Sequence, residues 1–307
     1  MEIKFLGTGA GVPSKERNVS AIALNLTEEI NHIWLFDCGE ATQHQILHTN
    51  LKPRKINKIF ITHLHGDHIY GLPGLLSSRS FLNGDDLLTV YGPPGIKDYI
   101  KTSLNISGTH LTYPLDIIEF TEGVIFEDNT FKVSTFLLDH GVPSYGFRIE
   151  EADKIGELNV EKLKKEGINP GPIYKTIKSQ TSTLLEDGRI IKRDDYIGKS
   201  KKGRIICIFG DTRFNDNFIQ HALNADLLIH EATFEETRAD LAYDYFHSTT
   251  KQAATLAKKA SVKQLILTHI SSRYQNGAIN ELLTEARSTF EQTLIAHDFF
   301  SYTIKQE

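Results

Sequence analysis

The sequence predicts an α/β protein whose functional residues lie at the ends of its strands. Short apolar strand patterns alternate with helical patterns along most of the 307 residues, which is typical of an α/β fold. Several of these strands end at a histidine or an aspartate. One basic segment, residues 154–204, interrupts the alternation. With 40% apolar and 24% charged residues, the composition is that of an ordinary globular chain and argues against disorder.

The predicted strands are short runs rich in β-branched and aromatic residues. They are IKFLG, HIWLFD, INKIFIT, LLTVYG, FKVSTFLL, RIICIFG, DLLIHEA and KQLILTH. The predicted helices are EATQHQILHTN, PPGIKDYIKTSLN, TTKQAATLAKKAS and AINELLTEARSTFEQ. In the third helix, Ala253, Leu256 and Ala257 form one apolar stripe at helical spacing.

Five of the predicted strands stop at a residue that can bind a metal ion. These residues are His63, His140, Asp211, His230 and His269. In open α/β sheets, ligands and catalytic groups collect beyond the strand ends. We therefore expect these side chains to point toward one common site.

The first of these strand ends opens the motif THLHGDH, which crowds four potential ligands into six residues. His63 and His65 are two residues apart, so both can turn toward one ion as the chain leaves the strand. Gly66 permits a tight turn, after which Asp67 and His68 can face a second position. Imidazoles and carboxylates suit zinc and similar divalent ions.

A site for two ions needs more ligands than this loop supplies, about six or seven in all. His140, Asp211 and His269 complete such a set, each from a different strand end. The absence of cysteine from these positions argues for an open, catalytic site and against a closed structural zinc site. Two metals about 3.5–4 Å apart can hold a hydroxide and clamp a phosphoryl group, and a nearby carboxylate can orient the water or take its proton.

The interrupting segment is strongly basic for this chain. Residues 154–204 carry 13 Lys/Arg and 7 Asp/Glu, whereas the whole chain has a net charge of −5. This contrast favours a contact with nucleic acid, and the alternative is a solvated excursion without a role. We therefore predict one domain, residues 1–307, with residues 154–204 inserted as an extended arm.

The cysteines, the N-terminal sequence and the lengths of the apolar runs indicate the cellular compartment of the protein. Cys38 and Cys207 are the only cysteines and lie in apolar runs, so they predict buried reduced thiols and no disulfide framework. The N-terminus has no signal-peptide pattern, and no uncharged apolar run approaches the roughly 18–20 residues of a membrane span. We expect a cytoplasmic protein with no membrane partner.

Taken together, the motifs resemble ribonuclease Z, the tRNA 3′-processing endonuclease family of the metallo-β-lactamase superfamily. THLHGDH matches the superfamily signature His-x-His-x-Asp-His, which hydrolases, oxidoreductases and sulfatases share. Blocks similar to those of the narrower family are FLGTGAGVPSKERN, FDCGEATQ, GLPGLL, FGDT, HEATF, YFHSTT and LTHISSRY. The similarity covers nearly the whole chain, and the length fits the short form.

The resemblance implies a four-layer αββα sandwich with two zinc ions at its edge. The zinc ligands would be His63, His65, Asp67, His68, His140, Asp211 and His269. Asp211 would bridge the two ions, and Asp67 would also be the general base that acts on the nucleophilic water. His247 and Glu231 would protonate or stabilise the leaving 3′ oxygen.

It also implies how precursor tRNA would be bound. The residues that would contact the substrate are Ser248, Thr249, Ser271, Ser272, Arg273, Gly171, Pro172, Lys15 and Arg17. Lys15 and Arg17 belong to the Pro13–Asn18 loop, where the 3′ end would enter. Gly171 and Pro172 belong to the arm, which would grip the tRNA body. The family is typically a homodimer in which the arm of one subunit serves the site of the other.

Other functions remain open from the residues alone. A small-molecule hydrolase on the same scaffold should lack the basic arm and the HST histidine, His247, and this chain has both. A metal-bound RNA-binding protein without catalysis should have some of the metal-binding residues replaced, and none is replaced here. A flavodiiron oxidoreductase would need a carboxylate ligand arrangement and usually a flavodoxin domain, for which the chain has no room. For His44 and His48, four apart on a helix, we favour a packing role over metal binding.

Overall fold

The computed structural model describes residues 1–275 and 277–306 and divides them into two compact units. The main unit comprises residues 1–150 and 205–305, apart from Asn276. The small unit comprises Glu151–Arg204 together with Gln306. Each predicted strand overlaps a strand of the structure, and each predicted helix overlaps a helix, so the predicted α/β class is confirmed.

Within the described residues, the main unit contains two seven-stranded mixed sheets. The first sheet has the order β16-β1-β2-β3-β4-β5-β6. Its strands are β1 (Glu2–Gly7), β2 (Ala21–Leu26), β3 (His32–Phe36), β4 (Ile56–Phe60), β5 (Leu88–Gly92), β6 (Leu115–Glu119) and β16 (Ser301–Thr303). From β3 to β6 the strands are parallel, and the others pair antiparallel.

The second sheet has the order β15-β14-β13-β12-β9-β8-β7. Its strands are β7 (Gly123–Glu127), β8 (Phe131–Leu138), β9 (Ser144–Glu151), β12 (Ile205–Ile208), β13 (Leu227–Glu231), β14 (Leu265–Thr268) and β15 (Thr293–Ile295). From β12 to β15 the strands are parallel, whereas β9 and β12 pair antiparallel with Glu150 opposite Ile205.

Helices cover the outer face of each sheet. The helices of the main unit are α1 (Thr42–Leu47), α2 (Gly66–Ile69), α3 (Leu72–Phe81), α4 (Ile96–Ile106), α7 (Ile219–Ala222), α8 (Ala239–Asp244), α9 (Thr250–Lys259) and α10 (Ala278–Thr289). The cluster between α1, α3, α4 and the first sheet includes Ile46, Leu76 and Ile100. A second cluster lies between α9, α10 and the second sheet, and a third joins the inner faces of the two sheets. The layer order is therefore helix, sheet, sheet, helix.

The side-chain period of two residues assigns the β13 residues to opposite faces. Leu227 and Ile229 pack between the sheets, whereas Leu228 packs toward the helices. The predicted stripe on α9 is buried against the same helical side, and a capping box of Thr249 and Gln252 begins that helix. No helix in the described part of the chain is long and apolar enough to cross a membrane.

The small unit has a core of its own. It contains α5 (Val160–Lys165), α6 (Pro172–Ser179) and a hairpin of β10 (Ser182–Leu184) and β11 (Ile190–Lys192). Leu163, Ile168, Ile177, Ile191 and Tyr196 form its buried cluster. Apolar periodicity in this segment is weak in the sequence because so few residues make that core.

Candidate active site

The strand ends bring the predicted metal ligands together. His63 and His65 follow β4, His140 follows β8, Asp211 follows β12 and His269 follows β14. Asp67 and His68 lie on the short helix α2, directly after the first two histidines. All seven predicted ligands belong to groups whose donor atoms lie within 4.8 Å of one another.

The donor atoms fall into two triads. In the first triad, Nδ1 of His65 lies 3.1 Å from Nε2 of His63 and 3.2 Å from Nε2 of His140. In the second, Oδ2 of Asp67 lies 3.3 Å from Nε2 of His269 and 3.5 Å from Nε2 of His68. Each triad offers three donors that converge on one point, as a divalent cation requires.

Asp211 lies between the two triads. Its Oδ2 is 3.3 Å from Nε2 of His269, 3.5 Å from Nε2 of His68 and 3.8 Å from Nε2 of His63. It is therefore the one carboxylate, among the described residues, that approaches histidines of both triads.

Four imidazoles are fixed through Nδ1, which leaves Nε2 directed into the site. The acceptors are Thr62 Oγ1 for His63 at 3.0 Å, Asp37 Oδ2 for His68 at 2.7 Å, the Phe246 carbonyl for His140 at 2.9 Å and Thr233 Oγ1 for His269 at 3.0 Å. Thr62 and Thr233 donate their own hydroxyl hydrogens to Asp37 and Glu231, so each must accept from the ring. Such outer partners orient a ligand and set its tautomer.

His68 provides the clearest test of whether a metal fits. Its buried Nε2 has no hydrogen-bond partner among the described residues, although Nδ1 is tied to Asp37. Burial by itself would lower the pKa of His68, but the carboxylates of Asp211, Asp37 and Asp67 raise it well above its ordinary value. The same three carboxylates that favour a proton on His68 would stabilise a cation bound at its Nε2. The residues therefore fit a metal ion.

The other ligands have protonation states that suit metal binding. Burial lowers the pKa of His63 and His140, which keeps both imidazoles neutral. Burial would raise the pKa of Asp211 and Asp67, but the neighbouring His269 and His68 hold both carboxyls well below their usual range. Neutral imidazoles and ionised carboxylates are the forms that bind a divalent cation.

Asp37 belongs to this site in addition to the residues predicted from the sequence. It follows β3, and its carboxylate accepts from the Thr62 amide and hydroxyl as well as from His68. The strand HIWLFD ends at this aspartate, so the strand-end pattern could have identified it.

We expect Asp37→Asn to weaken zinc binding about 10- to 100-fold, because the variant loses the anion that orients and polarises His68. Competition with a chromogenic zinc chelator measures this affinity. Asp216→Asn is the matched control, since Asp216 is an exposed partner of Lys259. A zinc affinity of Asp37→Asn equal to that of the control would contradict the prediction.

The buried Glu231 and the half-buried His247 form a pair beside the second triad. The Glu231 carboxylate accepts from Nδ1 of His247 at 3.1 Å, from the Ser248 amide at 2.8 Å and from the Thr233 amide at 3.0 Å. Burial would lower the pKa of His247, but Glu231 raises it to about 9. His247 is therefore a protonated imidazole near neutral pH, 4.0 Å from Asp211.

His230 does not join the site, so the expectation that its side chain points there is wrong, whereas its neighbour Glu231 at the same strand end does take part. It is the neighbour of Glu231 on β13, so its side chain points to the opposite face of the sheet. Its ring lies 5.0 Å from that of Phe209, in the cluster under the helices. It belongs to none of the potential metal-binding groups in residues 1–275 and 277–306.

Three of the predicted substrate-contacting residues are directed into the protein. Arg17 is buried and donates to the Thr8 hydroxyl and the Ala296 carbonyl. The Ser248 hydroxyl donates to the Thr212 carbonyl, and the Thr249 hydroxyl caps α9. In this conformation their hydrogen-bonding groups hold the loops around the site in place.

The other predicted contacts are more accessible. Arg273 is exposed and its Nε donates to the Ser271 hydroxyl, while Ser271 and Ser272 are half-buried and follow His269 after one intervening residue. Lys15 is exposed on the Pro13–Asn18 loop. Gly171 and Pro172, in the small unit, are exposed at the start of α6.

Solved structures place the chain in a protein class. It resembles the metallo-β-lactamase fold protein YhfI from Bacillus subtilis with a TM-score of 0.68 and 20% identity, covering 98% of both chains. The two mixed sheets and the His/Asp clusters define a metal-binding protein of the metallo-β-lactamase fold. The residues 1–155 also fall within the family whose model is described as "Anti-Pycsar protein Apyc1".

Relatives that match along the whole length narrow the class. Ribonuclease Z of Bacillus licheniformis is 56% identical over 306 residues, which covers 100% of each chain. Human tRNase Z, short form, matches with a TM-score of 0.72 and 32% identity over 99% of this chain and 100% of that one. The chain belongs to the ribonuclease Z family, so the family resemblance seen in the sequence is confirmed.

Proposed function

We propose that this protein removes 3′ trailers from precursor tRNA by metal-dependent hydrolysis. Cleavage would follow the discriminator base and leave a 3′-hydroxyl on the tRNA and a 5′-phosphate on the trailer. The observation that carries the proposal is the pair of His/Asp triads joined by Asp211, beside the Glu231–His247 pair, in a chain of the ribonuclease Z family.

Two zinc ions per subunit are the cofactors we propose. His63, His65 and His140 would hold one ion, Asp67, His68 and His269 the other, and Asp211 both. When bound, such a pair supplies a hydroxide at neutral pH and neutralises the charge that develops on the phosphoryl group.

The chain's own residues would orient the water and protonate the leaving group. Asp67, held by the Gly11 amide at 2.9 Å, would direct the nucleophilic water and take its proton. His247, kept protonated by Glu231, would donate a proton to the departing 3′ oxygen. The Glu231 carboxylate would fix the ring of His247 and hold the Ser248 segment that follows it.

The substrate would be bound by two sets of residues. Arg273, Ser271 and Ser272 would contact the phosphates next to the cut, and Lys15 would meet the 3′ end. Arg17 supports the loop that carries Lys15, whereas Ser248 and Thr249 hold the segment that follows His247. The inserted arm, residues 154–204 with Gly171 and Pro172, would contact the tRNA body, and a homodimer would let it serve the partner site. We place this activity in the cytoplasm.

Incubation of the purified protein with a precursor tRNA tests the proposal directly. We expect one cut after the discriminator base, a 3′-hydroxyl and a 5′-phosphate at the ends, and loss of cleavage after treatment with a chelator. Restoration by zinc would identify the metal requirement. Cleavage that persists in the chelated protein, or cuts scattered along the tRNA, would refute the proposed reaction.

A further inference from the structure

Arg213 connects the segments that carry three residues of the site. It lies two residues after Asp211. It contacts the residue before His140 and also Tyr243 and Phe246, which lead to His247. We propose that Arg213 is a positioning residue that holds His140 and His247 in the geometry the site requires. The inference rests on the proposed function for its kinetic readout, whereas its metal-binding readout is independent of the substrate.

The guanidinium group lies between two aromatic rings. Its central carbon is 3.9 Å from the ring centre of Tyr243 and 3.6 Å from that of Phe246. Its Nε donates to the Tyr243 carbonyl at 2.6 Å. Such an arrangement needs a planar cation with donors in its plane, which arginine has and lysine lacks.

The same residue holds the chain that leads to His140. The Arg213 amide donates to the Asp139 carbonyl at 2.8 Å, and the Asp139 amide donates to the Thr212 hydroxyl at 3.2 Å. The Arg213 side chain adds a contact of 4.0 Å between its Nη1 and Oδ1 of Asp139. His140 therefore leaves β8 along a segment fixed on the Arg213 side.

Phe246 transmits the effect of the arginine to both histidines. Its carbonyl accepts from Nδ1 of His140 at 2.9 Å, and its peptide leads directly to His247. Its φ of 61° is in the left-handed region, which a phenylalanine rarely adopts without external support. The stack on Arg213 adds to the support from two backbone hydrogen bonds, which the Phe246 and His247 amides donate to the Tyr243 and Ala242 carbonyls. Loss of the guanidinium should therefore loosen the turn and the contact of the Phe246 carbonyl with His140.

The test compares Arg213→Gln and Arg213→Lys with wild type as full-length proteins. We expect kcat for a precursor tRNA to fall about 10- to 100-fold in both variants, with KM changed less than about threefold. Zinc affinity, measured by chelator competition without substrate, should also fall about tenfold because His140 loses its fixed orientation. Recovery in the lysine variant would show that the charge alone matters and would overturn the proposal.

Two further variants keep the result interpretable. Lys259→Gln removes an exposed cation that pairs with Asp216, and it should change neither readout. If Arg213→Gln unfolds, Phe246→Leu tests the same link by removing the ring while keeping the carbonyl. The double variant Phe246→Leu/Arg213→Lys should lose less kcat and less zinc affinity than the sum of the two single losses, expressed as free energies. The reason is that both substitutions act on one contact. Additive effects, or zinc affinity and kcat within twofold of wild type in the folded variants, would overturn the proposal. If the wild-type protein does not cleave precursor tRNA, the zinc affinities of the variants still test whether Arg213 positions His140.

Discussion

Asp67→Asn should reduce kcat for precursor tRNA about 10³-fold and leave the affinity for the tRNA nearly unchanged. The carboxylate belongs to the second triad and also accepts from the loop that follows β1. Its Oδ2 lies 3.3 Å from Nε2 of His269 and accepts from the Gly11 amide at 2.9 Å. Asparagine preserves the volume and an acceptor for Gly11 but removes the negative charge, so it loses both a metal ligand and the proposed base. Proton transfer by a positioned group alone contributes about 10²–10⁴-fold.

Single-turnover cleavage and filter binding of the same precursor tRNA separate the two effects. Asp216→Asn serves as the control because it removes an exposed carboxylate outside the site. Burial would raise the pKa of Asp67, but His68 and His269 hold it well below its usual range, so wild-type Asp67 is ionised throughout the assay range. Turnover of Asp67→Asn within tenfold of wild type would exclude Asp67 as the base.

The strand-end pattern predicted most of the site because it rests on a general property of parallel strands. His63, His140, Asp211 and His269 converge because their strands end at the same edge of the two sheets. The pattern failed at His230 because it marks where a strand ends, while the two-residue period decides which side chain enters the site. Counting from the buried Leu227 would have selected Glu231 over His230.

Residues that orient the ligands were harder to predict. Thr62 and Thr233 lie two residues after β4 and β13, and only the fold shows that their hydroxyls accept from His63 and His269. The strained backbone is equally invisible in the sequence. Asp37, Phe246 and His269 have φ values of 56°, 61° and 56°, a conformation that costs each about 1–2 kcal/mol and is typical of functional sites.

Two elements that were not predicted from the sequence, β2 and α3, lack a clear local signature. Strand β2, AIALNL, is almost wholly buried between its neighbours, so it has no alternation of polar and apolar residues. Helix α3, LPGLLSSRSF, begins with Pro73 at its second position and carries Gly74, which lowers its helical propensity. Tertiary packing of Leu72, Leu75 and Leu76 stabilises it in the structure.

Removal of the inserted segment should separate recognition of tRNA from hydrolysis. Lys154 and Lys201 form an antiparallel bridge with two hydrogen bonds of 2.9 Å, so a two-residue Asn-Gly turn can join them in place of residues 155–200. This design keeps the ion pair between Arg204 and Glu151, whose Nε and Oε2 are 2.7 Å apart. Both charges are buried, and removing Arg204 would leave an unpaired carboxylate in the protein.

We expect kcat/KM for precursor tRNA to fall about 10²–10³-fold in this variant, because cationic contacts to phosphates supply much of the affinity for nucleic acid. Hydrolysis of a small chromogenic phosphodiester should stay within about twofold, since the triads and the Glu231–His247 pair belong to the main unit. A full-length variant with Lys164, Lys165 and Lys175 replaced by glutamine provides the matched control for charge. For this control, the slope of the logarithm of tRNA affinity against the logarithm of salt concentration should become shallower. The change should be roughly one unit for each phosphate group that a lysine no longer neutralises. An equal loss of activity on both substrates would show that the segment supports the site itself. Unchanged cleavage of precursor tRNA would show that the segment has no part in tRNA recognition.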